Sequence, residues 1–159
     1  MTFSDKAVAA RAAALAAATP GDWLSLVLDH HLQIESAFVW VRAAANAGQR
    51  RLAQKWLGSL VIAHGHAEES VLYPALARRG RSHKTWHMEL AALEMLDPLT
   101  RTHSDRLEQF QASLLHHFRE EEGIWFPELH RKQTALEQAD LSRRYREEFE
   151  RRLGHDRAA

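Results

Sequence analysis

Apolar residues recur along this chain at every third or fourth position, and strand-like alternation is hard to find. Asp22 can cap a helix whose apolar seam reads Leu24, Leu28, His31, Ile34, Phe38, Val41 and Ala45, ending near Gly48. A second helix is predicted from about Arg50, with Leu57, Leu60, Val61, His64, Glu68, Val71 and Ala75 on its seam. The segment ARRGRS, residues 77–82, reads as a turn, with Gly80 a stop signal and Ser82 a candidate N-cap. The third helix carries Trp86, His87, Leu90, Leu93 and Leu96 until Asp97-Pro98 interrupts it, and the next turn falls within residues 97–104. The fourth seam is Leu107, Phe110, Leu114, His117, Glu121 and Ile124, closing near Pro127.

The ends read differently. An Ala-rich run forms a short helix over about residues 4–18, before Pro20. A charge-laced helix over about 135–153 keeps Leu141, Tyr145, Phe149 and Leu153 on one side, to pack on the rest of the chain or on a second copy in a homodimer. The expected fold is all-α: an up-down-up-down antiparallel four-helix bundle over residues 21–130. An N-terminal helix (1–20) and a C-terminal helix and tail (131–159) flank it.

Two stretches repeat one layout. HGHAEESVLYPAL (64–76) and HFREEEGIWFPEL (117–129) each place His, Glu four residues on, and Pro ten residues on. His and Glu four apart share a helical face, about 5–6 Å from each other. Here both pairs fall on apolar seams, where an unpartnered carboxylate costs several kcal/mol, so each needs a partner in the core. His31 and His87 add a lone seam histidine to each half. The midpoint of His31 and His64 falls at Gly48 and that of His87 and His117 near Thr102, both in predicted turns, so one level of the bundle can see all four helices. Four imidazoles and two carboxylates suit iron or manganese, and two carboxylates free to bridge favour two ions over one. Glu35, four after His31, is read as peripheral. His30, His66 and His116 are expected to be exposed, and His103, His130 and His155 to lie at the surface. Trp40, Trp86, Trp125, Phe38, Phe118 and Phe126 are expected in the core.

Composition narrows the classes. Length 159, 45% hydrophobic and 26% charged residues describe one ordinary globular domain, and a formal charge of +0 gives no pull toward nucleic acid. The absence of cysteine excludes disulfides, thiolate metal sites and iron–sulfur clusters. No stretch is apolar for the roughly 18 residues a membrane span needs, and the N-terminal run carries Arg11, unlike an export signal; the expected location is cytoplasmic. Eleven histidines are the unusual figure, and the seams give several of them a place. No Glu-x-x-His lies on a seam, as ferritin-like oxidases require, and no His-Glu-x-x-His suggests a zinc protease.

On its two H-x-x-x-E-E-x-(V/I)-(L/W)-(Y/F)-P-x-L motifs, the chain over about residues 22–130 resembles the hemerythrin-like, HHE cation-binding family. The resemblance implies two iron ions with a bridging oxo or hydroxo group, and binding of O2 or a related small molecule. Carried over residue by residue, the ligands are His31, His64, Glu68, His87, His117 and Glu121, with both Glu as bridges. Oxygen-carrying members have five histidines. In HKTWH, His83 stands where the fifth would fall, or it is a solvated residue at a helix start. Glu121 replaces the family's Asp at a shorter spacing, and Glu122, at the five-residue offset, competes with it. The leading expectation is a protein that binds or senses O2, nitric oxide or peroxide. The alternatives are a di-iron enzyme that removes peroxide or nitric oxide, and an iron-buffering protein.

Overall fold

A computed structural model describes the backbone of residues 3–76 and 83–158, with side chains over 8–76 and 83–154. Gly80, Ser82 and the His155 side chain lie outside the described residues. Every element among those described is helical: α1 (Phe3–Ala17), α2 (Trp23–Ala43), α3 (Ala47–Ala67), the π-turn π1 (Glu68–Leu72), the short α4 (Tyr73–Ala75), α5 (Lys84–Glu94), α6 (Arg101–Glu120), π2 (Glu121–Trp125), α7 (Phe126–Lys132) and α8 (Ala135–Ala158).

Local chemistry sets the starts. Gly21, at φ 87, takes the left-handed conformation that lets Asp22 turn back and accept from the Ser25 N–H at 2.7 Å. Asn46 caps α3 through the Gln49 N–H, and Thr100 caps α6 through the His103 N–H. The duplicated prolines do something other than end a helix. Tyr73 N–H bonds back to the Glu68 carbonyl and Phe126 N–H to the Glu121 carbonyl, each spanning five residues. Proline in an unbroken α-helix would orphan and crowd the carbonyl four residues earlier. Widening the turn just ahead of Pro74 and Pro127 relieves this, and the helix resumes. The fourth helical run therefore continues past Pro127 to Lys132. Each π-turn begins at the glutamate of its motif.

The core is built on Trp23, Phe38, Phe110, Phe118, Phe126, Leu57 and Leu60, all essentially inaccessible. Each stabilises the fold by about 1.5–3 kcal/mol relative to exposure. Trp40 and Ile124, expected inside, are exposed at 56% and 60%. Both terminal helices close on this core. Ala14 of α1 is fully buried, and α1 packs against α2, α6 and π2. From α8, Tyr145, Leu141 and Phe149 pack against α2 and α3, so the C-terminal apolar stripe covers its own chain. Ser142 Oγ accepts from the Trp23 N–H at 2.8 Å, tying α8 to the start of α2.

Candidate metal centre

Four donor side chains meet in the core from α2, α3, π1 and π2. His31, His64, Glu68 and Glu121 are each 0% exposed. His64 Nε2 lies 3.3 Å from Glu68 Oε1, and His31 Nε2 lies 3.4 Å from Glu121 Oε2. One ligand atom from each of the four falls within 4.8 Å of the others. His31 Nε2, His64 Nε2, Glu68 Oε1 and Glu121 Oε2 are moreover buried without a hydrogen-bond partner. Orphaned buried polar atoms cost about 1–3 kcal/mol each, more when charged, and four that face one another fit a cation.

A second group adjoins the first and shares Glu68 with it. It comprises Glu68, His83 and His117. His83 Nε2 is 3.3 Å from His117 Nε2 and 3.5 Å from Glu68 Oε2, and His117 Nε2 is 2.9 Å from Glu121 Oε1. Glu68 and Glu121 thus each present one oxygen to the first group and the other to the second. The Tyr73 hydroxyl stands inside the second group. It lies 2.7 Å from Glu121 Oε1, 2.9 Å from His117 Nε2, 3.1 Å from His83 Nε2 and 3.5 Å from Glu68 Oε2. Nitrogen and oxygen donors this close together could hold a cation between them.

The electrostatics follow from burial and neighbours. Burial, then the nearby Glu121 charge, raises Glu68 well above the carboxylate range. Burial opposes ionisation of Glu121 too, but His117 and His31 outweigh it and hold Glu121 low. Burial and the neighbouring His31 push His64 well down, while burial and His117 bring His83 to about 4. For His31, burial is overcome by the adjacent carboxylates of Glu121 and Glu122, and its pKa rises. Burial and the two carboxylates push the Tyr73 phenol up.

Residues 23–129 match the family model of the hemerythrin HHE cation-binding domain. The chain belongs to this family. No curated protein and no solved structure matches it. The matched range begins at the first residue of α2 and ends within α7, leaving α1 and α8 outside it.

Of the residues read from this HHE sequence, the structure brings together His31, His64, Glu68, His83, His117 and Glu121. It places His87 elsewhere: exposed on α5, outside both groups. The buried face of this helix runs through His83, Trp86, Leu90 and Leu93, and His87 stands about 100° round from Trp86. His83 directly precedes α5. Its N–H donates to Glu69 at 2.7 Å, its Nδ1–H donates to the Gly65 carbonyl at 3.1 Å, and its ring lies on Trp86 at 3.9 Å. A recess of about 30 Å³, lined by Gly65, His66, Glu69, Trp86 and His87, reaches His83 and has room for about one water-sized molecule.

Other histidines also depart from expectation. His30 is buried, its ring stacked on Phe149 at 3.6 Å. His103 is fully buried with Nε2 2.7 Å from Gln54 Oε1, and His130 pairs with Asp22 at 2.8 Å. His116 is exposed as expected, whereas His66 is half-buried, with Nδ1 2.7 Å from Glu148 Oε1. Glu122, four residues past Phe118 and adjacent to Glu121, faces the opposite side of His31, with Oε1 2.8 Å from Nδ1. The sequence pattern assigns no role at the site to Tyr73, Tyr145 or Arg11. The one available signal was the contrast between the repeats: Tyr73 in the first stands where Phe126 stands in the second.

Proposed function

We propose that this HHE protein holds two iron ions, one at His31 and His64 and one at His83 and His117, with Glu68 and Glu121 spanning both, Tyr73 beside the second ion, and an oxo or hydroxo group bridging the pair. The observation that carries the reading is the convergence of four buried, unpartnered donor atoms on one point, next to a second cluster that shares Glu68 and has Glu121 against its His117. An all-N/O set of imidazole, carboxylate and phenol favours iron or manganese. The proposed role is binding or sensing of O2 or a related small ligand such as nitric oxide or peroxide, in line with the small-ligand binding the family suggests. When bound, the ion pair supplies the redox chemistry. The chain's own groups hold the ions, and the buried aromatic walls from Phe118 and Trp86 limit water.

An up-down-up-down order of α2, α3, α5 and α6 belongs to the same proposal. The His31 and His64 rings lie 4.8 Å apart on helices joined through Asn46, as a reversal of the chain there brings about. Anaerobic loading with ferrous iron tests the reading, with metal counted and visible spectra taken before and after air. Two ions per chain and a new absorption on aeration are expected; no uptake, or uptake of one ion, overturns it.

Peroxide removal is the second reading, and Tyr73 favours it. Its O–H is a proton-bearing group 2.7–3.5 Å from four ligand atoms of the centre. Steady peroxide turnover that Tyr73→Phe abolishes would select this reading over reversible binding.

A further inference from the structure

For His31 and His64 to offer Nε2 to a cation as neutral imidazoles, each must carry its proton on Nδ1. One of those two Nδ1 atoms is held by a side chain outside the matched domain, and the other by a carboxylate that is itself gripped from outside it. His31 Nδ1–H donates to Glu122 Oε1 at 2.8 Å. Glu122, itself 2% exposed, is gripped by Arg11 of α1, whose Nε lies 3.0 Å from both carboxylate oxygens and whose Nη2 lies 2.6 Å from Oε1. The same Nη2 donates to Glu35 Oε1 at 2.6 Å, so two α2 and π2 carboxylates fix the guanidinium.

On the other side, His64 Nδ1–H donates to the Tyr145 hydroxyl of α8 at 3.2 Å, and Tyr145 passes its own hydrogen to His30 Nδ1 at 3.0 Å. Tyr145 is fully buried, and His30 is pinned on Phe149, also from α8. The second group differs. The Nδ1 of His83 is met by the Gly65 carbonyl and lies 3.1 Å from Glu69, both within the domain.

We propose that α1 and α8 are positioning elements for the first metal group. Arg11, acting through Glu122, and Tyr145 set the tautomer and ring orientation of His31 and His64, so the affinity of that group, and not of the second, depends on the two terminal helices. The proposal rests on the reading that the chain holds two ions. Its physical basis is general: a hydrogen bond on the outer nitrogen of a ligating imidazole fixes which nitrogen faces the metal, and losing it typically costs about 10–100-fold in affinity.

The test uses the full chain with Tyr145→Phe and Arg11→Gln. Ferrous iron is titrated anaerobically, and imidazole nitrogen spectra are recorded on the chelator-treated chain. One of two binding steps is expected to weaken about 10–100-fold while the other is unchanged. In Tyr145→Phe, His64 loses its single Nδ1–H tautomer. In a His83→Ala background, which keeps all four side chains of the first group, the same substitutions lower the affinity for the remaining ion by that factor. Arg11→Lys, which keeps the charge but not the fork, recovers part of the loss. Unchanged affinities, or equal weakening of both steps, overturn the proposal. If Tyr145→Phe does not fold, Arg11→Gln decides alone. Wild-type chain that takes up no iron overturns the two-ion reading itself, and this proposal with it.

Discussion

Gly65 and His83 touch so closely that no side chain fits between them. The Gly65 carbonyl accepts from His83 Nδ1 at 3.1 Å, and a Cβ built at residue 65 would lie 2.9 Å from that nitrogen and 3.0 Å from the ring carbon beside it. His83 cannot retreat, because Trp86 lies 3.9 Å behind its ring. The glycine in HGHAEES is therefore a condition for bringing this imidazole to the second group.

Gly65→Ala should consequently lower iron affinity at the second group by about 10–100-fold, the scale of misplacing a ligand's outer contact. Stability should move little. Alanine in a helix gains about 0.8–1 kcal/mol over glycine, which offsets part of the 1–3 kcal/mol typical of overpacking. Iron titration beside thermal melting checks this, and a large loss of stability with unchanged iron content would contradict it.

His117→Ala removes the partner 2.9 Å from Glu121 and leaves that carboxylate's charge poorly compensated in the core. A loss of about 3–5 kcal/mol and of at least one ion is expected. The neighbouring His116, exposed on the same turn, should tolerate alanine within about 0.5 kcal/mol with full iron content. The same comparison separates His83→Ala, which should lose iron, from His87→Ala, which should keep it.

Burial, with the charge of His31, holds His30 at about 3, and burial, with His117, holds His83 at about 4. A histidine whose folded pKa lies below its unfolded value near 6.5 contributes stability that is present above that value and lost as pH falls toward the folded one. These two groups should therefore lower the melting temperature of the chelator-treated chain at pH 5 relative to pH 7. His31 contributes in the opposite sense, because its raised pKa favours the folded state as pH falls. His30→Gln, which removes one such group without removing a ligand, should reduce the difference; an identical pH slope would count against it.

Tyr73→Phe deletes one hydroxyl from the second group and keeps the ring. Phe126, in the matching place of the second repeat, is fully buried in the core, so a phenyl ring suits this position of the motif. Stability should change by about 1 kcal/mol or less, the usual net worth of a hydrogen bond. The visible spectrum of the iron-loaded chain in air should shift, because one oxygen donor is lost. An unchanged spectrum would place the phenol outside the ligand set.

Helical periodicity, seam membership and the duplicated His-x-x-x-Glu pairs were legible from the order of residues alone. They depend on a repeat of 3.6 residues per turn and on the cost of burying an unpaired carboxylate, and both act locally. His31, His64, Glu68, His117 and Glu121 were found that way. The choice between His83 and His87 was not legible, because it turns on where α5 begins and on the space over Gly65, which belongs to another helix. Pro127 read as a helix end. Only the backbone path shows that a turn one residue wider lets the helix continue and opens at each glutamate. His30 lay one step off its seam and read as exposed until α8, far along the chain, supplied Phe149 and Tyr145 to cover it. Arg11 and Glu122 stand 111 residues apart, and nothing in either neighbourhood announces the other. Local pattern could determine which side chains turn inward; only packing of the helices decided which of them meet.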